Sequence, residues 1–300
     1  MRSGRILAAL SVGLGSFATA ALGQEQQVEP GLGRPVEWQI GLQKAATPVM
    51  HGIHVLHDWV LLPIITLITL FVLGLLVVVM VKFNARANPV PSRTTHNTFI
   101  EVLWTVVPIL ILVVIAIPSF RLLYYERDIP KGDMTLKITG NPSWNWTYEY
   151  PDLGVNPDGT AKVNFTAYLK PKDQLKPGEP WLLTTDVPVV VPVNKIVKLI
   201  VTSDPEGIIH AWTLPSSGVK IDAIPGRLNE DWFEITQVGT YYGQCSELCG
   251  KDHAFMPIEV HAVSQADFDA WANKIKTAGA DEARKDLFAR LAAKGQLARN

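Results

Sequence analysis

The first half of the chain carries two long runs of apolar residues. One extends over about residues 59–81 and the other over about residues 102–120. Crossing about 30 Å of hydrocarbon takes roughly 20 helical residues, so both runs are long enough to span a bilayer as helices. The pattern therefore predicts a transmembrane hairpin of two helices over residues 58–124.

The pattern of apolar and polar positions changes after residue 125. Short β-branched and aromatic runs such as "KVNFTAYL", "IVKLIVTS" and "GTYYGQ" alternate with Gly, Pro, Asp and Asn. Short strands separated by turn residues are typical of a β-sandwich or a barrel, which we expect over residues 125–262. The remaining tail, residues 263–300, has a helical pattern, and Ser264 with Asp267 predicts a capping box at its start.

The first 23 residues have the layout of a secretory signal peptide. Arg2 and Arg5 precede an apolar run that ends in small residues. Its removal would leave an exported segment, residues 24–57, ahead of the hairpin.

The loop between the two apolar runs predicts the orientation of the hairpin. It carries Lys82, Arg86 and Arg93 against a single acid, Glu101. Because basic loops stay in the cytoplasm, both flanks of the hairpin should lie outside. We therefore expect a multi-pass protein in the lipid of a bacterial inner membrane, with both mature termini on the periplasmic side.

Composition and charge narrow the class of partner. Hydrophobic residues make up 48% of the chain and charged residues 18%, as membrane segments require, and a formal net charge of −1 gives no reason to expect nucleic acid. Residues 126–262 hold 18 acidic and 12 basic side chains. This excess favours a basic partner attracted by electrostatic steering. The candidate docking acids are Glu149, Asp152, Asp204, Glu206, Asp222, Glu230 and Asp231.

The only two cysteines lie within "CSELCGKDHAFM", residues 245–256. Two cysteines in an exported domain commonly form a disulfide. Cys245 and Cys249 are, however, followed by His253 and Met256, and thiolate, imidazole and thioether are the soft ligands that suit copper. A further histidine, His210 in "IIHAW", can come from a neighbouring loop. The residues alone leave a disulfide and a pair of bridged coppers both open.

The longer stretch "YYGQCSELCGKDHAFMPI" is similar to the dinuclear copper A loop of subunit II of the haem–copper cytochrome c oxidases. "GVKIDAIPGRLNEDW", "VVVPVNK" and "HNTFIEVLWTVVPILILV" also resemble that family, and the likeness covers roughly residues 50–262. The resemblance implies that the exported domain is an all-β, cupredoxin-like Greek-key sandwich.

The resemblance also implies a role for each ligand. Cys245 and Cys249 would bridge two coppers, and His210 and His253 would each bind one of them. Two further ligands are then implied: the Met256 thioether on one copper, and the backbone carbonyl of Glu247 on the other. The Glu247 carboxylate would reach magnesium or manganese at the boundary with subunit I.

Two residues outside the ligand set receive roles in the same way. Trp144 would be the point where electrons from a docked cytochrome c enter, and Glu101 the entrance of a proton pathway into subunit I. Strand alternation in "SWNWTYEYP" would place Trp144, Trp146, Tyr148 and Tyr150 on one face. Three features depart from the family pattern: Asn145 stands where tyrosine is common, "GNPSW" is one residue longer than usual, and the loop before His210 is longer than usual.

Together these features predict a subunit of a proton-translocating cytochrome c oxidase. It would accept electrons from cytochrome c and pass them to haem in subunit I, where oxygen becomes water, with subunit III as a further partner. The chain has no C-x-x-C-H motif, so we expect no haem of its own. A quinol oxidase subunit would lack the copper ligands. The copper domain of a nitrous oxide reductase would lack the hairpin, and the two spans and Glu101 argue against an exported copper chaperone.

Overall fold

The computed structural model describes residues 31–296, so the predicted signal peptide lies outside the described residues. The apolar runs fall in two long helical stretches. The first comprises helix α1 (Pro48–Leu56), a π-helical turn (His57–Leu61) and helix α2 (Leu62–Lys82), and the second is helix α3 (Thr98–Arg127). Both stretches are long and apolar enough to cross a membrane.

The π-helical turn coincides with the first proline of the hairpin. Pro63 has no N–H to donate to the carbonyl four residues earlier, and the Leu62 N–H bonds to the His57 carbonyl instead. A single π-helical turn is a common way for a helix to accommodate an interruption in its series of backbone hydrogen bonds. The helical stretch therefore continues through the proline.

The part of the chain that follows α3 forms a sandwich of two five-stranded sheets. One sheet has the order β3-β2-β1-β5-β8 and the other β4-β10-β9-β6-β7. Neighbouring strands are antiparallel except for the pairs β1–β5 and β4–β10. The strands are β1 (Met134–Asn141), β2 (Asn145–Glu149), β3 (Asn164–Ala167), β4 (Val189–Pro192), β5 (Val197–Ser203), β6 (His210–Leu214), β7 (Val219–Ala223), β8 (Asn229–Phe233), β9 (Gly239–Cys245) and β10 (Pro257–Val263).

Side-chain alternation fills the space between the sheets. In β1 and β5 every second residue is buried, as a strand with one face on the core requires. Leu136 and Ile138 of β1 lie beside Leu199 and Val201 of β5 in the shared register. The core formed in this way includes Cys245, Cys249 and Met256, so the cysteine-containing loop packs against the sandwich.

Every residue of β10 is buried because helix α4 (Gln265–Ala293) covers its outer face. Ser264 caps α4, with its Oγ 3.2 Å from the Asp267 N–H. Gly279, at φ 81°, breaks the helix into two halves. Lys294 lies 2.6 Å from the Asp267 carboxylate, although a straight helix would separate them by about 40 Å. The two halves of α4 therefore fold back on each other.

One prediction about the aromatic cluster is wrong. Trp146, Tyr148 and Tyr150 are buried as strand alternation predicts, but Trp144 is not in β2. The pairing of Asn141 with Asn145 leaves residues 142–144 as a three-residue hairpin loop. Such loops usually end in a left-handed residue, and Trp144 takes that position at φ 54°. Its side chain is therefore directed by a turn and stays half-buried.

Candidate metal centre

The candidate ligands meet at one end of the second sheet. His210 is the first residue of β6, and Cys245 is the last residue of β9. The two strands are paired, with Trp212 opposite Cys245, so their ends lie side by side. The loop that follows β9 turns back and brings Cys249, His253 and Met256 to the same place before β10 begins at Pro257.

The ligand atoms lie within a few ångströms of one another. The two sulfurs are 3.8 Å apart and unbonded, so both cysteines are free thiols. Cys245 Sγ lies 3.8 Å from His210 Nδ1 and 3.4 Å from the Glu247 carbonyl oxygen. Cys249 Sγ lies 3.3 Å from His253 Nδ1 and 3.7 Å from Met256 Sδ. Each thiol therefore has its own imidazole and a second, weaker donor.

This donor set fits soft metal ions. Metal–thiolate bonds are about 2.3 Å long, and two sulfurs 3.8 Å apart can both bond to the same ions at that distance. His210, Cys245 and Cys249 form the one group of His, Cys, Asp or Glu side chains in the described chain whose ligand atoms are mutually close enough to hold a metal. Two thiols, two imidazoles and a thioether favour copper or another soft ion over calcium or magnesium.

Burial sets the protonation of the ligands. Burial lowers the pKa of His210, which keeps its imidazole neutral. Burial, followed by the neighbouring Cys245, raises the pKa of the Cys249 thiol. The neutral His210 imidazole can therefore donate a lone pair to a metal directly. The thiols must first lose a proton. Metal binding at this site should release protons and should weaken as the pH falls.

The buried Trp146 side chain contacts two of the candidate ligands. The Trp146 Nε1–H donates to the Met256 carbonyl at 3.2 Å, and its ring meets the edge of the His210 ring at a centroid distance of 5.7 Å. Gly140 lies against both rings, where an added Cβ would be 2.7 Å from His210 Cδ2. Trp146 therefore fixes the approach of two candidate ligands, and Gly140 leaves room for them.

Trp144 covers the loop from the outside. Its Nε1–H donates to the Cys249 carbonyl at 3.0 Å, and its ring packs against Gly250. The Lys251 ammonium group lies 5.7 Å from the ring centroid. A half-exposed indole is thus connected to the backbone of one candidate ligand by a single hydrogen bond.

Asn145 is buried and holds the hairpin loop together. Its Nδ2 donates to Ser143 Oγ at 2.7 Å, and its Oδ1 accepts from Asn141 Nδ2 at 2.6 Å. A small polar network of Asn141, Ser143 and Asn145 therefore supports the hairpin loop that carries Trp144.

Comparison with known proteins identifies the family. The model for the cytochrome c oxidase subunit II transmembrane domain matches residues 35–122, and the model for the periplasmic domain matches residues 134–263. The probable cytochrome c oxidase subunit 2 of Rickettsia bellii is 47% identical over 84% of this chain and 90% of its own length. The chain belongs to the cytochrome c oxidase subunit II family. Its two apolar helices and cupredoxin-like sandwich confirm the predicted fold class.

The chain is also similar to a plant protein and to a bacterial domain whose crystal structure is known. Cytochrome c oxidase subunit 2 of Oenothera berteroana is 47% identical over 79% of this chain and 90% of its own length. The crystal structure of the periplasmic domain of subunit II from Bradyrhizobium japonicum covers 53% of this chain and 99% of its own, at 45% identity and a TM-score of 0.43.

Two further predictions concern the side-chain carboxylates of Glu247 and Glu101. The Glu247 side chain is exposed. Glu101, in the first turn of α3, accepts a hydrogen bond from the Asn97 N–H at 3.2 Å, and Asn97 Oδ1 accepts from Ile100 N at 3.2 Å. This reciprocal cap gives Glu101 a structural role that sequence reasoning missed, because Glu101 follows the capping Asn97 by four residues and not by the three of the usual capping box.

The candidate docking acids are spread over the domain. Asp204 and Glu206 lie in the loop before His210, where Asp204 Oδ1 accepts from the Glu206 N–H at 2.9 Å. Asp222 and Glu230 line a hollow beside Arg127, at the end of α3. The other three are Glu149, paired with Lys137 at 2.7 Å, Asp152, which accepts from the Thr135 N–H, and Asp231, next in sequence to Glu230.

Asp231 differs from the other acids in its protonation. Burial raises its pKa from 3.8 to about 6, and the negative charge of Glu126 at the end of α3 adds to the effect. The adjacent Trp232 donates its Nε1–H to the Glu126 carbonyl at 3.0 Å. This acid therefore lies at the junction of the sandwich with the helical hairpin.

Proposed function

We propose that this subunit accepts electrons from cytochrome c at a dinuclear copper centre and delivers them to haem in subunit I. There oxygen would be reduced to water while protons cross the bacterial inner membrane. The observation that carries the proposal is the convergence of two free thiols, two imidazole Nδ1 atoms and a thioether within the distances given above. This set of donors is suited to electron relay, because no open position for a substrate is needed.

Each ligand has one task in this proposal. Cys245 and Cys249 would hold both ions, His210 and His253 would each hold one, and Met256 and the Glu247 carbonyl would complete the two sites. The chemistry that copper would supply there is the uptake and release of one electron. The protein keeps the donors in place: the cysteines, His210 and Met256 are buried, and Trp146 holds the Met256 backbone. Donors held in this way would move little when the site gains or loses an electron, and small movements favour fast electron transfer.

Trp144 is the proposed point where electrons enter. It is half-exposed, and its indole N–H is bonded to the carbonyl of Cys249. Leu248 and Phe255, on the same loop, are exposed apolar side chains. An apolar centre with acids around it is the usual make-up of an interface with a charged partner. Of the seven candidate acids, Asp204 and Glu206 lie in the loop that leads to His210.

The partners in the membrane are proposed from the family. Subunit I would receive the electron and subunit III would complete the assembly. The exposed Glu247 carboxylate would bind magnesium or manganese at the boundary with subunit I. Glu101 would collect protons at the cytoplasmic end of α3, where a carboxylate near the interface avoids the cost of full burial.

Copper in the assembled oxidase tests the central claim. Electron paramagnetic resonance of the oxidised enzyme should show hyperfine splitting from two equivalent copper nuclei. Cys249→Ser should remove that signal and nearly abolish oxidation of cytochrome c, because one bridging thiolate is lost. Ser246→Ala, a neighbouring substitution that removes no proposed ligand, is the matched control. A wild-type enzyme with a Cys245–Cys249 disulfide and no copper would contradict the proposal.

A further inference from the structure

A cavity of about 360 Å³ lies on the other side of the second sheet from the sandwich core. Its floor is formed by Tyr242 of β9 and by Glu259 and His261 of β10. The second half of α4 forms its roof, and residues 176–179 form its rim. None of the candidate copper ligands lines it. The roof also lies beyond residue 263, where the match to the family's periplasmic domain ends.

The two carboxylates of the cavity are already compensated. Glu259 Oε1 lies 2.8 Å from His261 Nε2, and Glu259 Oε2 accepts from the Thr185 N–H at 2.7 Å. Glu179 accepts from Lys170 Nζ at 2.5 Å. Buried carboxylates with such partners offer little attraction to a bound cation. The walls therefore do not favour a metal ion.

Two cations of the cavity form no close ion pair among the described residues, although the Arg284 guanidinium interacts with the Asp186 carboxylate at longer range. The Arg284 Nε is buried and lacks a hydrogen-bond acceptor in residues 31–296. No carboxylate of the described residues lies within ion-pair distance of Lys176, which is exposed at the rim. Both cationic groups lie 5.9 Å from the centroid of the Phe288 ring. A buried donor without an acceptor carries a cost that a bound acceptor would remove.

We propose that this cavity binds a small organic carboxylate with an apolar body. The Arg284 guanidinium would receive the carboxylate, since its planar fork matches two carboxylate oxygens. Lys176 would attract the anion at the mouth, and Phe288 with the neighbouring Ala289 and Ala292 would contact its apolar part.

Charge and size narrow the class of ligand. The volume is at the low end of small-molecule sites, which fits a ligand of metabolite size. A doubly charged phosphate would be placed near the Glu179 and Glu259 carboxylates, whereas a monocarboxylate would carry less charge against them. A bound ligand would connect α4 to the sheet and so stabilise the tail of the chain on the sandwich.

The test uses the full chain in detergent and fluorine NMR of para-fluorobenzoate. Saturable binding should weaken about tenfold or more in Arg284→Gln. Arg290→Gln is the matched control, because Arg290 lies on the same helix half, is paired with Asp286 at 2.7 Å and lines no part of the cavity. Lys176 lies in an exposed loop, so Lys176→Gln should leave the fold intact. It should weaken binding about threefold, because it removes one positive charge.

Neutral para-fluorobenzamide should bind about tenfold more weakly than para-fluorobenzoate, and inorganic phosphate should not displace the carboxylate. The proposal is overturned if the neutral amide binds as tightly as the acid, if phosphate competes for the site, or if no probe saturates. Equal affinities in Arg284→Gln and Arg290→Gln would overturn it too. If Arg284→Gln fails to fold, undiminished binding to Lys176→Gln decides against it.

Discussion

Replacing Trp144 by Phe tests whether the indole passes electrons to the candidate metal centre, because the substitution leaves the ligand side chains unchanged. The substitution keeps an aromatic ring in the hairpin loop but removes the Nε1–H that donates to the Cys249 carbonyl at 3.0 Å. It also shortens the ring that packs against Gly250. The ligand side chains themselves are unchanged, so the site should still bind copper.

The cost to stability can be worked out from these contacts. Loss of a partly exposed hydrogen bond costs about 0.5–1.5 kcal/mol, and the smaller ring loses some packing, for a total of about 1–2 kcal/mol. For a domain of about this size, 1 kcal/mol corresponds to roughly 2–4 °C in Tm, so the melting temperature should fall by about 2–8 °C. The sandwich should therefore remain folded at working temperature.

The assay is transient electron transfer from reduced cytochrome c to copper in the assembled oxidase. With the indole N–H gone, the hydrogen-bonded connection from the partner to Cys249 is broken. We expect transfer at saturating cytochrome c to slow about tenfold or more, which is about 1.4 kcal/mol in the activation free energy. Trp181→Phe, on a loop that contacts none of the candidate ligands, is the control and should transfer electrons at the wild-type rate.

Two outcomes would refute the reasoning. An unchanged rate in Trp144→Phe at saturating cytochrome c would mean that another residue receives the electron. A changed copper spectrum would mean that the indole positions the ligand loop, so that a slower rate could not be attributed to the electron path. Trp146→Phe provides a comparison for this second case, because it removes the hydrogen bond to the Met256 carbonyl and should alter the copper spectrum.

Three further predictions concern acidic residues. Glu101→Ala and Glu101→Gln should both slow proton-coupled reduction of the oxygen-binding haem and leave copper content unchanged; normal kinetics in the Gln variant, which keeps a cap acceptor, would leave this residue as a helix cap. Asp204→Asn combined with Glu206→Gln should slow association with cytochrome c most at low ionic strength, because the Debye length is only about 8 Å at physiological salt; a loss that does not depend on salt would indicate misfolding. Asp231 has a folded pKa of about 6 against 3.8 unfolded, so its contribution to stability is present below pH 3.8 and is lost as pH rises through about 6. Thermal unfolding between these pH values should show a loss of about 2–3 kcal/mol that Asp231→Asn reduces, and an identical pH profile in the variant would contradict the assignment.

Sequence reasoning reached the ligands because their chemistry is local. Cys245, Cys249, His253 and Met256 lie within a dozen residues, and soft donors at that density predict a metal site before any fold is known. The helical hairpin could be predicted from the sequence for a similar reason, since the length of an apolar run decides whether it can span a bilayer. His210 followed as a further soft donor from a neighbouring loop, and the family resemblance then added the Glu247 carbonyl.

What the sequence left open depended on contacts between distant segments. Two cysteines in an exported domain predict a disulfide as readily as a metal site; the pairing of β6 with β9 places His210 beside Cys245, and the two sulfurs lie 3.8 Å apart as free thiols. For Trp144 the sequence pattern led to a wrong prediction. Strand alternation predicts that Trp144 lies in a strand, whereas the register of the hairpin places it in a turn.

The cavity beneath α4 is also a product of tertiary structure alone. Arg284 and Lys176 are more than a hundred residues apart in the chain and become neighbours only because α4 breaks at Gly279 and folds back over β10. Local patterns determine which residues are helical, apolar or soft ligands, since these depend on a few neighbouring side chains. Which of them meet is decided by the packing of sheet on sheet and helix on sheet, because that packing is set by the burial of the whole core.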